Sequence, residues 1–282
     1  MAGSRVPGSI NLRPVDAGTS VLSFSPAQGP TGSAHGTYGS DVRYLAQADA
    51  QTKGAPRAAP ASRRLSGDRI SLQFTVDDAP GGSATNDAML DVLDKYKIKT
   101  MFFVIGENVQ SRPRDFLKLV QRGHRLGNHT WNHPHLRHLK EAEIQVQLKR
   151  TDDLVRKLTG KSMAPHWRPP FGEGAHDARV LKAAADIGFT KMWYWDIDSE
   201  DWMTLKGPPK HRAVRPQAEI TKLITDNVED QVSALAAKAK LGREGEKGKY
   251  VVLVHDKPTT VAALEVLLPR LKSEGYSFVD FP

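Results

Sequence analysis

Asp77 and Asp78 stand side by side at the end of an apolar run, Ile70-Ser71-Leu72-Gln73-Phe74-Thr75-Val76. Adjacent carboxylates behind such a run are costly to bury unless each has a partner. Further along, His129-Thr130-Trp131-Asn132-His133 places two imidazoles four residues apart. On a helical turn that spacing faces both rings the same way, within reach of one divalent ion. Alone, such a pair reads as two ordinary histidines. Two His with one Asp, however, make a facial set of three ligands with open positions. Open positions are what a catalytic metal needs to hold water and a substrate oxygen together. The second carboxylate can stay unligated and take a proton from that water, whose pKa an adjacent metal lowers towards about 7.

A hydrolytic centre of this kind also needs an acid to protonate the leaving group. His255 closes the strand-like run Val251-Val252-Leu253-Val254. The acidic cluster Asp198-Ser199-Glu200-Asp201 is suited to pair with it and raise its pKa. Arg168 offers a fixed fork of donors for a carboxylate, and backbone N–H groups near Phe171-Gly172 suit a developing oxyanion. The chain has no cysteine, which excludes disulfides, thiolate catalysis and cysteine-ligated zinc. From the His/His/Asp set the expected metal is zinc, with cobalt, nickel or manganese fitting similar ligands.

The elements that must position these groups alternate. Strand patterns at Ile70 to Val76, Thr100 to Ile105, His166 to Phe171, Lys191 to Ile197, Tyr250 to His255 and Ser277 to Phe281 are separated by helical stretches. These lie around Asp87 to Tyr96, Arg114 to Gln121, residues 140–159, Asp177 to Ile187, Pro216 to Lys240 and Thr260 to Ser273. Such alternation predicts an α/β fold with a mostly parallel sheet. With no Gly-rich phosphate loop, a distorted or incomplete (β/α) barrel is favoured over a doubly wound sheet. In a barrel, the loops after the strands converge on one face.

Residues 1–69 are rich in Gly, Ala, Ser, Pro and Arg and read as an N-terminal arm or linker, leaving 70–282 as the catalytic domain. Residues 203–249 carry ten Lys/Arg and six Asp/Glu, and read first as a solvated surface insertion. The net charge of +8 suits an anionic partner. Nucleic acid is not expected, because aromatic and basic residues do not interleave and no recognition motif is present. No membrane span is expected, and no apolar h-region of a signal peptide follows Met1. Oligomeric state is not readable from the sequence.

Taken in order, Thr75-Val76-Asp77-Asp78-Ala79-Pro80, His129-Thr130-Trp131-Asn132-His133, Arg168-Pro169-Pro170-Phe171-Gly172, Asp198-Ser199-Glu200-Asp201-Trp202 and Leu253-Val254-His255 follow a five-motif pattern. The segment from Ile70 onwards resembles the polysaccharide deacetylases of carbohydrate esterase family four, which share the NodB-homology domain. The resemblance implies that Asp77 is the catalytic base and that Asp78, His129 and His133 are the metal ligands. It further implies that Arg168 orients the base and the Phe171 amide serves the oxyanion. Asp201 would tune the acid His255, and Trp202 would line the acetyl pocket. The implied activity is metal-dependent removal of N-acetyl groups from a GlcNAc-containing polysaccharide outside the cytoplasm. Peptidoglycan ranks first and a chitin-type polymer second. An O-acetyl xylan esterase or a carbohydrate-binding pseudoenzyme are the alternatives. The family usually has Phe and Gly where this chain has Val76 and Ala79, which predicts altered packing behind the Asp pair and a shifted loop.

Several residues carry no spacing argument. His124 resembles a structural position in the family. His35, His135, His138, His166, His176 and His211 read as surface or packing residues. Trp131 is expected to pack inward. Trp193, Tyr194 and Trp195 fall on one expected strand, where alternate side chains face opposite ways.

Overall fold

The computed structural model of the chain describes residues 12–15, 19–22, 70–206, 213–240 and 248–281. Within the first segment, β1 (Leu12–Val15) and β2 (Thr19–Leu22) pair antiparallel. The rest of the expected 1–69 arm lies outside the described residues, as do residues 207–212 and 241–247 of the basic connection.

From Ile70 the chain alternates strand and helix. The strands are β3 (Ser71–Ala79), β4 (Met101–Val104), β5 (Arg125–Asn128), β6 (His166–Trp167), β7 (Lys191–Met192), β8 (Ile197–Asp198), β9 (Leu205–Lys206), β10 (Ala213–Val214), β11 (Lys249–His255) and β12 (Ser277–Phe278). The helices are α1 (Ser83–Lys95), α2 (Gly106–Ser111), α3 (Pro113–Gln121), α4 (Glu141–Thr159), α5 (Ala178–Ala185), α6 (Gln217–Lys240) and α7 (Pro258–Ser273). β9 and β10 form a separate antiparallel pair. The main sheet runs β7-β6-β5-β4-β3-β11-β8, with β12 beside the start of β3, and its pairings are parallel. β7 and β8 are the two ends of that order, so the barrel is incomplete, as the sequence pattern implies.

Alternation along β3 explains why the sheet has two different faces. Leu72, Phe74 and Val76 join the large core with Leu90 and Leu93 of α1 and Leu264, Leu267 and Leu268 of α7. Burying each such side chain contributes about 1.5–3 kcal/mol. Gln73, Thr75 and Asp77 leave on the other face. β4 splits likewise. Phe102 and Val104 join the helix-side core, whereas Met101 and Phe103 pack with Phe281 and Trp193 in a small inner cluster. Gln73 Nε2 donates to the Asp280 carbonyl, tying the inner face to the C-terminal residues.

Three expectations need correction. Lys191 to Ile197 is not one strand but two strands of two residues each. The Trp193 and Tyr194 carbonyls between them accept from the Arg168 guanidinium instead of continuing a ladder. The 203–249 connection is not simply a solvated insertion. α6 buries Ile220, Ile224, Val228 and Val232, and Ile220 and Ile224 pack on Ala263 of α7. Finally, α2 and β5 were not anticipated. β5 is Arg-Leu-Gly-Asn, with little apolar signal, and its Gly127 leaves the space that Phe103 fills, since a Cβ there would lie 2.4 Å from that ring.

Candidate active site

The C-terminal ends of β3, β5, β6, β8 and β11 each deliver part of one cluster. β3 begins the arrangement with a bulge. It pairs with β4 at Val76 opposite Phe102 and again at Ala79 opposite Val104, so Asp77 and Asp78 together oppose Phe103. Asp78 takes φ +65°, in the left-handed region that Asp tolerates better than most residues. A regular strand would send the two carboxylates to opposite faces. Here both approach His129, whose Nε2 lies 3.6 Å from Asp77 Oδ2 and 3.7 Å from Asp78 Oδ1. Ala79 does not take a positive φ, so no glycine is required there, and Val76 is fully buried in the helix-side core. The substitutions that distinguish this loop from the usual motif are therefore accommodated by the backbone.

His129 and His133 do not sit on a helical turn, contrary to expectation. They lie in the loop after β5, where Thr130 and His133 both have positive φ. Thr130 N donates to Asn128 Oδ1, His133 N to Thr130 Oγ1, and Trp131 N and Asn132 N to Gln147 Oε1. The side-chain oxygens replace the bonds a helix would have made. His133 Nε2 is 3.5 Å from Asp78 Oδ1, and ligand atoms of Asp78, His129 and His133 all lie within 4.8 Å of one another.

These three residues fit a divalent ion on their own chemistry. Oδ1 of Asp78 is buried and takes no hydrogen bond, an arrangement that costs free energy unless a cation answers it. His129 Nδ1 lies 2.8 Å from the Arg168 carbonyl. That contact requires the proton on Nδ1 and leaves the Nε2 lone pair facing the cluster, as in metal-binding histidines. His133 is held neutral, its pKa pushed down to about 3 by burial and then by neighbouring His129. Burial opposes ionisation of Asp78, but the surrounding His255, His129, His133 and Lys257 outweigh it and hold its pKa below the usual value. Donors about 2.0–2.2 Å from one zinc ion would lie roughly 3.5 Å apart, close to the separations seen.

Asp77 is held differently. Its Oδ1 accepts from Arg168 Nη1 at 2.7 Å, and both side chains are almost wholly buried. Every nitrogen of the guanidinium has an acceptor. Nη1 also donates to Thr75 Oγ1, Nε to the Trp193 carbonyl and Nη2 to the Tyr194 carbonyl. The Phe103 ring lies 4.2 Å from its centre. Asp77 Oδ2 is left towards the histidines.

The His255 side mirrors this. His255 is the register partner of Asp77 across the parallel β3–β11 pair, so the two side chains leave the same face of the sheet. His255 Nδ1 lies 2.5 Å from Asp201 Oδ1. The other carboxylate oxygen of Asp201 accepts from His255 N at 2.7 Å and from Thr260 Oγ1 at 2.5 Å. Burial works against a charge on His255, but fully buried Asp201 outweighs it and raises the pKa to about 9. Asp198 is not the partner of His255. Its amide and carbonyl are bound by Gln231 and Asn227 of α6, which anchors the loop. Phe171, at φ +58°, presents its ring between His133 (centroids 4.4 Å apart) and His135 (4.3 Å, stacked). Trp202 is half-exposed beyond Asp201.

Residues 65–192 match the family model described as polysaccharide deacetylase. A peptidoglycan-N-acetylglucosamine deacetylase of Bacillus cereus is 31% identical over 220 residues, covering 74% of this chain and 84% of that protein. This chain belongs to the polysaccharide deacetylase family. The peptidoglycan-N-acetylmuramic acid deacetylase PdaC of Bacillus subtilis is 32% identical over 209 residues, covering 74% of this chain but only 37% of that longer protein. Among solved structures, a polysaccharide deacetylase from Bacillus cereus superposes with a TM-score of 0.60 at 28% identity, covering 76% of this chain and 93% of that one.

In this member of the polysaccharide deacetylase family several site residues were not legible in advance. Thr75 lies inside a quoted motif, yet nothing in the sequence said it would bridge Arg168 and the Val252 carbonyl. Thr260, in the first turn of α7, gave no signal of reaching Asp201. His135 was set aside as a surface or packing residue. It packs on Phe171 and meets Glu173 Oε1 at 2.8 Å. His124 is buried, its Nδ1 accepting from Thr100 N, as a structural role requires. Trp131 is buried too. No described helix is long and apolar enough to cross a membrane.

Proposed function

We propose that the catalytic unit, residues 70–282, hydrolyses acetyl groups from a GlcNAc-containing polysaccharide outside the cytoplasm, peptidoglycan first and a chitin-type polymer second. The carrying observation is the register pairing of Asp77 with His255 beside the Asp78–His129–His133 set. One carboxylate and one protonated imidazole thus flank a common point from adjacent strands. Asp78, His129 and His133 would hold a divalent ion, zinc before cobalt, nickel or manganese. That ion would polarise the acetyl carbonyl and make nearby water easier to deprotonate.

The chain's own groups then divide the proton transfers. Asp77, with Oδ1 fixed by Arg168, takes the proton of the attacking water through Oδ2. The Phe171 N–H donates to the developing oxyanion. His255 delivers its proton to the departing amine nitrogen, and Asp201 holds the ring and favours its charged form. Trp202 lines the acetyl pocket. A net charge of +8 suits an acidic wall polymer, and two relatives carry peptidoglycan deacetylase in their names.

Acetate release from peptidoglycan, chitin oligomers and acetylated xylan, with zinc added and with chelator, tests this reading. Zinc-dependent release from the N-acetylated polymers is expected. Release from xylan alone would make the enzyme an O-acetyl esterase. Zinc uptake without acetate from any polymer would make it a binding protein that keeps the fold without turnover.

A further inference from the structure

Asp78 reaches the metal position because the bulge takes it out of the ladder, and this leaves its own carbonyl without a strand partner. Asn108 of α2 supplies one, Nδ2 donating to the Asp78 carbonyl at 2.8 Å. The neighbouring backbone groups are held from outside β3 as well. The Asp77 carbonyl accepts from Asp256 N, and the Ala79 carbonyl from Ile105 N. The Pro80 carbonyl accepts from both Nε and Nη2 of Arg112, at 3.1 and 3.0 Å. Gly81 N donates to Asp256 Oδ2 at 2.7 Å, and a Cβ on Gly81 would lie 2.9 Å from that carboxylate. Of these contacts, only that of Asn108 is made by a side chain to the metal-position residue itself.

We infer that Asn108 is a positioning residue that sets the affinity of the metal site, by holding Asp78 in the left-handed conformation that aims its carboxylate at His129 and His133. The left-handed region is sparsely populated by residues other than glycine, so without a donor on its carbonyl Asp78 relaxes towards extended backbone. Its side chain then turns to the opposite face, away from the histidines. Partners that orient metal ligands typically contribute 10–100-fold in affinity. Arg112 acts two peptides further on, so its contribution to the same pose is smaller.

The inference rests on the metal reading above, and zinc titration separates their failures. Asn108→Asp keeps the shape of the side chain, removes the donor and sets an acceptor against a carbonyl. Zinc binding of full-length wild type, Asn108→Asp and Asn108→Ala would be followed by calorimetry. Metal-free circular dichroism and thermal unfolding in EDTA would be recorded for each. The expected result is a zinc Kd weakened about 10–100-fold in Asn108→Asp, less in Asn108→Ala, with metal-free protein folded in both. Wild-type zinc uptake with both variants within two-fold of it would overturn this inference alone. A wild-type chain that takes up no divalent ion overturns both readings. If neither variant folds in EDTA, Asn108 holds the fold rather than the site, and the inference is wrong.

Discussion

Two buried ion pairs flank the cluster, and they differ in the one property that matters for proton transfer. Arg168–Asp77 couples a carboxylate to a guanidinium that keeps its proton at any working pH. Asp201–His255 couples a carboxylate to an imidazole that can give its proton up. In the first pair the charged partner is permanent, so the free oxygen of Asp77 remains an acceptor. In the second the carboxylate is the permanent member, locked by Thr260 and a backbone amide, and the imidazole is the group that changes state. The same sheet face thus carries a fixed proton acceptor and a rechargeable proton donor, and the difference comes from which member of each pair is titratable.

The most damaging way to break this comparison is Asp77→Asn. It preserves the shape and the Arg168 contact but removes the acceptor. Turnover on an N-acetylated oligomer is expected to fall by about 10²–10⁴-fold, with zinc affinity nearly unchanged. Near-normal turnover would show that the base lies elsewhere. Arg168→Met should act on stability instead, because it leaves Asp77 buried without its counter-charge. A loss of about 3–5 kcal/mol in denaturant unfolding is expected, and a loss under 1 kcal/mol would contradict the pairing.

Asp201→Asn sharpens the acid side. In metal-free wild-type protein, His255 should titrate at about 9 by NMR. In the variant it should fall, since the largest of the charges that oppose burial is gone while the smaller contributions of Asp78 and Asp77 remain. The sign for stability follows. A histidine with a raised folded pKa contributes fully below its unfolded value near 6.5, and that contribution disappears as pH rises through about 9. Wild type should therefore lose more stability than Asp201→Asn between those limits. Equal losses would show that Asp201 does not govern the titration. Thr260→Val is the mildest test. It removes one O–H donor from a buried carboxylate, with an expected loss of about 1.5 kcal/mol in denaturant unfolding. An unchanged stability would show that the Thr260 hydroxyl does not hold Asp201.

How legible these features were follows from how local their causes are. β3 and β11 announce themselves through alternation and an apolar run, and each ends on its chemical group, so Asp77 and His255 were readable from the chain. That the acidic cluster 198–201 pairs with His255 was readable as chemistry, whereas the choice of Asp201 within it came from the family resemblance. The bulge at Asp77–Asp78 was not, since an Asp with positive φ looks like any other Asp in the sequence. The same gap bears on Ala79. The unusual dihedral sits one residue earlier, so a glycine at 79 is not needed. His129 and His133 had the right spacing for the wrong reason. Side-chain acceptors on Asn128, Thr130 and Gln147 shape a loop that brings the rings together, and such long-range bonds leave no periodicity. Trp193 to Trp195 failed as a strand for a related reason, because Arg168 takes the carbonyls that a ladder would use.

The central question is whether one divalent ion is shared by Asp78, His129 and His133 while Asp77 stays off it. Anomalous X-ray diffraction at the zinc edge from zinc-loaded crystals, for wild type and His129→Ala, answers it most directly. One peak within bonding distance of all three side chains in wild type, and none in His129→Ala, is the expected result. A peak bound by Asp77, or no peak among these residues, would contradict the account.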